Sequence, residues 1–448
     1  MKNSSLYFML IAGLVSYHAA AQTRLTLEES KALALKNNLK IKNSALESEA
    51  ARQTKKAAFT NFFPTISASG FTFEAQKDLF QMTTQGGNLP VYNGNPANLA
   101  SATQFAYFPG TTTGMFKNGT VGMVTATQPI FAGGRIINGD KLASVGEDVS
   151  ELQQKLSQNE VLLKTEEQYW QIVSLNEKLK TIQRYEELLN SLLRQVDDAY
   201  ASGIVMRNDV LKVRVRQSEL LLNKSKLENG KELAAMAFCQ YIGIPYDSTL
   251  VFGDSMTIGC IPQTYYVDPG EALKKRAEYC LLRLSVEAEE LRTSIKLGEY
   301  LPQVAIGAGG LFLDFDDGPG RTIGMAFGTV SIPISGWWEA SHTISERKVK
   351  EEIAENNLQN NSQLLMLQMQ KAWQDLTDGY KQVLLCGEEI AQAEENLKVN
   401  QDSYKNGMSA VSDLLEAQTM LQQANDQLTD AKANYRNKLV NYLQVTGR

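Results

Sequence analysis

The chain contains two copies of one long pattern, separated by a fixed distance. The segment Tyr200–Leu211 recurs 204 residues later as Tyr404–Leu415, and both read Tyr, two residues, Gly, five residues, Asp, one residue and Leu. The same offset relates Pro129 to Pro333, and it still holds at Gly243. A repeat that keeps one register over so many positions indicates a duplicated structural unit.

The first copy is longer than the second near its start. Phe63-Pro64 matches Leu301-Pro302 at an offset of 238, so the first half carries 34 extra residues between its two prolines. Duplicated units vary most where the chain meets solvent. We therefore expect a long surface loop over Glu74–Thr120, a stretch rich in Gly, Asn, Thr and Pro.

The duplication sets the expected organisation of the chain. Each half reads as helix, strand, loop, strand, very long helix, tight turn and returning helix. We predict a first repeat at residues 22–243, a linking segment at 244–268 and a second repeat at 269–448. The tight turns are expected near Gly203 and Gly407.

The first 21 residues have the pattern of a cleaved secretory signal peptide. Lys2 precedes an apolar run over Leu6–Val15, and Ala19–Ala21 supplies the small residues of a cleavage site. The run is too short to cross about 30 Å of hydrocarbon as a helix. No Cys lies near the site, so the sequence does not predict the lipid anchor common in bacteria.

The composition argues against several classes of function. The net charge is −6 and the chain has no basic stripe, so nucleic acid is not an expected partner. Beyond the signal segment His342 is the only histidine, and we predict no catalytic residue, cofactor or metal site. No Gly-x-Ser-x-Gly, His-Glu-x-x-His or phosphate-loop motif supports a hydrolase.

The four cysteines do not have the spacing of a metal site. They are Cys239, Cys260, Cys280 and Cys386. In an exported chain a disulfide such as Cys239–Cys260 is one option. Buried free thiols are the preferred interpretation for most of them.

Long apolar seams run through both halves of the sequence. In the first half the seam follows a 4,3,4,3 spacing that predicts a coiled coil, with Glu186 at one step: Leu175, Leu179, Ile182, Leu189, Leu193, Val196 and Tyr200. The second half repeats it at Cys386, Ile390, Ala393, Leu397 and Tyr404, with Asn400 as the weak step. About 60 residues of helix at 1.5 Å per residue make a rod roughly 90 Å long. So narrow an apolar stripe requires packing against other helices.

The two turns have a structural explanation in the sequence alone. Gly203 and Gly407 each follow a seam, and Gly can adopt the left-handed conformation that closes a helix. Asp209 and Asp413 come six residues later, at the start of the returning helix, where a carboxylate opposes the helix dipole. Both tips are expected at the same end of the helical part.

Four segments break the helical period and predict β-strands. They are residues 65–73, 121–130, 303–315 and 321–334, and the prolines that mark their junctions with helices are Pro64, Pro129, Pro302 and Pro333. Their lengths suit tilted strands that cross an outer membrane. Four strands cannot close a barrel alone, so membrane-spanning strands would require at least two chains to share one.

Together the tips, the four strand regions and the duplication resemble the TolC family of outer-membrane efflux and secretion channels. The resemblance covers nearly the whole mature chain. It implies a mainly helical fold, in which long coiled-coil hairpins form a periplasmic α-barrel and four strands per chain contribute to a 12-stranded outer-membrane barrel shared by a homotrimer. It also implies a periplasmic adaptor and an inner-membrane transporter as partners, and a location in outer membrane lipid.

The resemblance also implies roles for individual residues. Asp413 and Glu416 match the carboxylates that ring the aperture of family channels, and their i,i+3 spacing places them on one helical face. Lys212 occupies the position of Glu416 in the first half. Tyr200, Gly203, Asp209, Tyr404 and Gly407 match the tip region that meets the adaptor, although capping explains the two glycines equally well.

The function that we expect is a passive exit duct for small molecules or proteins, in a tripartite pump or a type I secretion system. In such a duct the loop Glu74–Thr120 should face the cell exterior, and its aromatics should order the loop rather than close the opening: Phe80, Tyr92, Phe105, Tyr107 and Phe108. The alternative is a secreted coiled-coil scaffold or adhesin with soluble hairpins and no pore.

Overall fold

The computed structural model describes residues 24–259, 261–315 and 319–448. The predicted signal peptide, residues 1–21, lies outside the described residues, as does Cys260. The elements in chain order are β1 (Arg24–Leu25), α1 (Leu27–Asn37), α2 (Leu39–Phe59), β2 (Thr65–Glu74), β3 (Phe80–Thr84), β4 (Gly87–Pro90), β5 (Phe105–Phe108), β6 (Thr111–Met115), β7 (Asn118–Phe131), α3 (Arg135–Ala201), α4 (Arg207–Ile242), β8 (Val251–Phe252), α5 (Pro269–Leu273), α6 (Ala277–Glu299), β9 (Gln303–Phe315), β10 (Arg321–Ser331), α7 (Gly336–Lys405) and α8 (Val411–Val445).

The chain divides into two compact units, and each unit contains parts of both repeats. The strand unit consists of Arg52–Gly146 and Val286–Ala354. The helical unit consists of residues up to Ala51, Glu147–Ser285 and Glu355–Arg448. Within each repeat the chain therefore leaves the helical unit, passes through the strand unit and returns to the helical unit.

The strand unit contains an antiparallel sheet in the order β10-β9-β7-β2. The four predicted strand regions are its four strands, so the fold class is confirmed in this part. Pro129 was expected to end a strand, which is wrong: it lies inside β7 at a register shift between Pro129 and Phe131. Pro129 itself still pairs with Ala305, and the residue left out of the pairing is Ile130. The pairing of β7 with β2 does not extend beyond Thr127, so Pro129 lies where β7 has a paired strand on one side only, a position that tolerates proline. β10 ends at Ser331, before Pro333.

The inserted segment forms strands, so the prediction of a loop over Glu74–Thr120 is wrong in this respect. β3 pairs with β6, and β4 pairs with β5, both antiparallel. Along the chain the β3–β6 pair follows directly on the β2–β7 hairpin, and the β4–β5 pair follows on β3–β6. Both pairs therefore continue from the end of the sheet that is opposite the junctions with the helices. Alternating Thr, aromatic and aliphatic residues favour extended structure, and this preference outweighed the Gly and Asn content that suggested a loop.

The helical unit contains most of the two longest helices. α3 has 67 residues and α7 has 70, and neither contains a proline. The returning helices α4 and α8 have 36 and 35 residues. These near-equal lengths agree with the duplication. Among the described residues, no helix is both long enough and apolar enough to cross a membrane.

The coiled-coil seam of α3 is confirmed in part. Ile182, Leu189 and Val196 are buried as predicted. Tyr185 and Leu192, which the predicted seam does not include, are buried beside them. Leu193 is only partly buried, and Tyr200 is 46% exposed. The reason is that this part of α3 shares one apolar cluster with residues of α4 and α8, so it buries a broader stripe than a two-helix seam would.

A second cluster surrounds the segment that links the repeats. β8 within residues 244–268 pairs in parallel with β1, and Phe252 packs edge-on against Tyr169 and Phe238. The Tyr169 hydroxyl donates to Asp254 at 2.7 Å. The linking segment is thus anchored to α3 and α4 within the helical unit.

Candidate functional site

The first helix-hairpin tip joins α3 to α4 through a left-handed glycine. Gly203 has φ +76°, its N–H donates to the Tyr200 carbonyl, and the N–H of Ile204 donates to the Ala199 carbonyl. These two bonds form the Schellman pattern that satisfies the last carbonyls of a helix. The expectation that Gly203 closes the helix is confirmed.

The second tip joins α7 to α8 with the same backbone geometry. Gly407 has φ +67°, its N–H donates to the Tyr404 carbonyl at 3.0 Å, and the N–H of Met408 donates to the Ser403 carbonyl at 2.8 Å. The repeated sequence thus specifies one turn twice. What distinguishes the tips must come from their side chains.

The two tips lie together at one end of the helical unit. One apolar cluster contains residues that flank both turns, among them Val196 and Val210 of the first tip and Leu397 and Val411 of the second. Val205 and Tyr404 pack against it from the turns themselves. The prediction that both tips share an end is therefore confirmed.

The tyrosines that precede the two turns have different surroundings. Tyr200 is 46% exposed, whereas Tyr404 is partly buried against the shared cluster. Burial, together with the nearby charge of Asp209, raises the pKa of Tyr404. Asp209 of the first tip thus lies close to the tyrosine of the second.

The aspartates at the start of the returning helices also differ in their contacts. Both lie at the start of the returning helix, as predicted, and the structure places each at the third helical position. The Asp209 carboxylate forms an ion pair with Lys212 at 3.2 Å. The Asp413 carboxylate instead accepts the Ala410 N–H at 3.2 Å and so caps α8.

The predicted aperture carboxylates are exposed on one face of α8. Asp413 and Glu416 are both exposed, one turn apart. The matching face of the first tip carries Asp209 and Lys212, whose charges offset each other. At these two positions the second tip therefore carries two carboxylates, whereas the first tip carries one carboxylate and one ammonium group.

A polar contact that the sequence analysis missed ties α8 to α3 and α4 above the tips. The Arg216 guanidinium donates to Thr419 Oγ1 at 2.5 Å and to the Tyr185 hydroxyl at 3.4 Å. Tyr185 and Thr419 are also 3.4 Å apart. A comparison of the two repeats contains a sign of this contact. At the offset of 204, Arg216 corresponds in sequence to Met420, and Thr419 corresponds to Val215, so each polar residue has an apolar counterpart.

Among the acidic residues that the structure describes, Asp426 has the pKa that is raised most. Its Oδ1 is buried without a hydrogen-bond partner. Burial raises its pKa to about 6, the Asp430 charge adds to the increase, and Lys178 opposes it. Lys178 itself forms an ion pair with Asp430 at 2.7 Å. The position in the first repeat that corresponds to Asp426 is Leu222.

Two further predictions concern thiols and metals. Cys239 is a buried free thiol whose pKa is raised by burial; Cys280 and Cys386 are free and partly buried. The Cys239–Cys260 pairing stays a prediction, since Cys260 is outside the described residues. Across residues 24–259, 261–315 and 319–448, no group of three His, Cys, Asp or Glu side chains is placed to hold a metal ion.

Comparison with known proteins now gives the family. Residues 32–243 and 299–448 match the family model described as outer membrane efflux protein. The chain belongs to that family. Its role is accordingly that of an outer-membrane exit duct for efflux, and the match gives no support to a secreted scaffold or adhesin.

Individual relatives agree with this assignment. The outer membrane protein TolC of Escherichia coli (strain K12) is 21% identical over 351 residues, which cover 74% of this chain and 69% of TolC. Among solved structures, the Campylobacter jejuni CmeC outer membrane channel has a TM-score of 0.72 at 16% identity, covering 94% of this chain and 85% of CmeC. The outer membrane protein VceC of Vibrio cholerae has a TM-score of 0.74 at 12% identity, covering 94% and 96%. These structures share the fold.

Proposed function

We propose that three copies of the chain form one passive duct, in which their sheets combine into a 12-stranded outer-membrane barrel. The observation that carries the proposal is that β2 and β10 each pair on one side only within the four-stranded sheet. Open edges are not tolerated in lipid, and the smallest membrane barrels have eight strands. Three sheets of four strands satisfy both conditions.

The register of the sheet supports a membrane location. Near its outer end one face carries Phe71, Val121 and Leu313 side by side. The opposite face carries Thr72, Thr120 and Asp314 at neighbouring positions. Apolar side chains suit lipid, and hydroxyl and carboxyl groups suit a water-filled lumen.

Exposed aromatics at the helix junctions support a boundary with lipid headgroups. Trp338 is 80% exposed and Trp337 is 50% exposed at the start of α7. The Trp337 indole donates to the Tyr300 carbonyl at 2.8 Å. Phe59 and Phe63 lie at the end of α2 with their rings edge-on. Of these aromatics, the amphipathic Trp side chains are of the kind that is enriched at membrane–water interfaces.

The tips are proposed as the docking site for a periplasmic adaptor, which links the duct to an inner-membrane transporter. The turns present two matched apolar side chains, Ile204 and Met408, which are 78% and 74% exposed. Ile204 directly follows Gly203 and Met408 directly follows Gly407, so the backbone of each turn sets the direction of the apolar side chain. A photo-cross-linker at position 204 or 408 should capture the adaptor, and one at the exposed Lys398 should not. Capture at Lys398 alone would refute this docking site.

Asp413 and Glu416 are proposed as the aperture. Three copies would place six carboxylates around one axis, which favours cations and repels anions. Because Arg216 joins α8 to α3 and α4, a movement of the second tip away from the first must break its bond to Thr419. The duct itself performs no chemistry in this proposal and supplies no energy.

The proposal is tested on the purified protein in detergent and in membranes. Native mass spectrometry should give a trimer, and planar bilayers should show discrete conductance steps. Cell fractionation should place the protein with the outer membrane. A water-soluble monomer that leaves bilayers silent would refute the duct and favour a secreted scaffold.

A further inference from the structure

The strands inserted between β2 and β7 carry no charged side chain. Charged residues make up 21% of the chain, yet none of them occurs from Leu79 to Phe116, where there is no histidine either. Asp78 and Lys117 flank this stretch, which we call the uncharged ribbon. Surfaces that remain in water are normally rich in charge. The composition therefore indicates that the strands of this segment are covered in the assembled protein.

The uncharged ribbon exposes large apolar side chains on both of its faces. Leu89 pairs with Ala106, and the adjacent pair is Asn88 with Tyr107, so Leu89 and Tyr107 point to opposite sides. Leu89 is 55% exposed and Tyr107 is 71% exposed. Phe108 shares the side of Leu89, and Phe105 shares the side of Tyr107. A contact on one side alone would leave the other side in water.

The uncharged ribbon is also too thin to be stable by itself. Among the described residues, β3 pairs only with β6, and β4 pairs only with β5. An isolated two-stranded hairpin is marginal in water. Edge strands without charges tend to pair with further chains. Both properties call for a partner that supplies more β-structure or apolar surface.

At its base the uncharged ribbon is joined to the four-stranded sheet through a bulge and an aromatic contact, which set the direction in which it leaves the sheet. The Ala75 N–H bonds to the Lys117 carbonyl, and the next pair outward is Phe80 with Met115. Residues 76–79 on one arm therefore face Phe116 alone on the other, which is a bulge that bends the ribbon. Phe116 has φ +63°, and its ring packs edge-on against Phe315 at 4.8 Å.

The two apolar sides of the uncharged ribbon are unlike, and this favours a ring of copies. In a ring with rotational symmetry, each copy offers one surface to the next and a different surface to the previous one. A lipid surface would cover one side only. In addition, β3 follows β2, the strand at the free edge of the sheet where the proposed barrel continues into the next copy.

We propose that the uncharged ribbons of the three copies pack against one another around the symmetry axis and form a collar beyond the barrel. The Leu89 side of each ribbon contacts the Tyr107 side of the next. The collar rests on the proposed trimer, so its test must separate failure of the collar from failure of the trimer.

The test is disulfide cross-linking in the assembled protein. Leu89→Cys and Tyr107→Cys on one chain cannot bond to each other, because they lie on opposite sides of the ribbon. Mild oxidation of the double variant should give covalent trimers, since two thiols per chain are needed to close a ring. Each single variant should give at most covalent dimers, and it also controls for the native cysteines.

Native mass spectrometry of the same samples separates the outcomes. A trimer that yields no covalent trimer in the double variant overturns the collar and leaves the duct intact. Absence of the trimer overturns both.

A second readout does not depend on cross-linking geometry. In intact cells, a maleimide should label Tyr107→Cys roughly tenfold more slowly than Asn93→Cys at the ribbon end, because packing limits access to the thiol. Asn93 is exposed. Equal labelling rates would overturn the collar.

Discussion

The two helix-hairpin tips close with the same backbone hydrogen bonds, yet the charged side chains that follow each turn make different contacts. In the first tip Asp209 is neutralised by Lys212 at 3.2 Å. In the second tip Asp413 caps its helix, and Glu416 replaces the lysine on an exposed face. The two copies thus keep the same backbone turn while the side chains that follow it differ. We propose that the shared part serves the architecture and that the altered part serves transport.

The largest expected difference between the tips concerns two leucines at equivalent positions. Leu415 is 9% exposed and Leu211 is 47% exposed. Leu415→Ala should lower the free energy of unfolding by about 2–4 kcal/mol, because it removes buried methyl groups and leaves a cavity. Leu211→Ala should cost less than about 1 kcal/mol. Denaturant unfolding followed by helical ellipticity measures both.

Equal costs at these two positions would break the comparison. Such a result would mean that Leu211 is covered in the assembly to the same extent as Leu415. The two tips would then be alike in packing as well as in backbone.

The next effect concerns Asp426, which has no acidic counterpart in the first repeat. Its folded pKa is about 6 against an ordinary value of 3.8. Between these pH values the folded chain keeps a proton that the unfolded chain has released, so stability falls as pH rises through this window. Asp426→Asn should therefore stabilise the protein at pH 7.5, by about 1 kcal/mol after discounting for solvent screening.

At pH 3.5 the same substitution should have little stabilising effect, because the carboxyl is then mostly protonated in both states. Thermal melts at the two pH values measure the difference. The control is Glu395→Gln at an exposed position inside α7, which should change the stability little at pH 7.5 because the carboxylate there is in water. A gain that is equal at both pH values would show that burial of the charge is not the cause.

The smallest expected difference is between the two turn glycines. Gly203→Ala and Gly407→Ala should each cost about 1 kcal/mol, because a side chain disfavours the left-handed conformation. A Cβ at either position would contact nothing within 4 Å, so the two costs should agree. Gly387→Ala, inside α7 with equally open surroundings, should instead stabilise by about 0.5–1 kcal/mol. Unequal costs at the tips would indicate that one turn is held by further contacts.

Much of the fold could be predicted because the repeat constrains it twice. The turn at Gly203 and the first turn of α4 with Asp209 follow from local chemistry, which the second copy repeats. The strands of the inserted segment could not be predicted, since Gly-rich and Asn-rich stretches are typical of loops as well. The buried flank of α3, with Tyr185 and Leu192, depends on which helices pack beside it, and one helix pattern does not contain that information.

The candidate site was predicted from two sources. Asp413 belongs to the repeated tip motif, whereas Glu416 was named only through the family resemblance, because the first copy has Lys212 at that position. Arg216 and Thr419 were missed because their bond joins two repeats, and no local pattern shows it. Positions at which the two copies differ in polarity are the signal that could have revealed them.

The central claim is that the carboxylates of the second tip, and not those of the first, set the preference of the duct for cations. It is tested by reversal potentials in planar bilayers under a salt gradient. The variant Asp413→Asn with Glu416→Gln should lose most of the cation preference, since the ring of charge is removed while Asn still caps the helix. The matched variant Asp209→Asn with Lys212→Gln should keep the preference of the unmodified protein. An unchanged reversal potential in the first variant, or the same loss in both, would contradict the account.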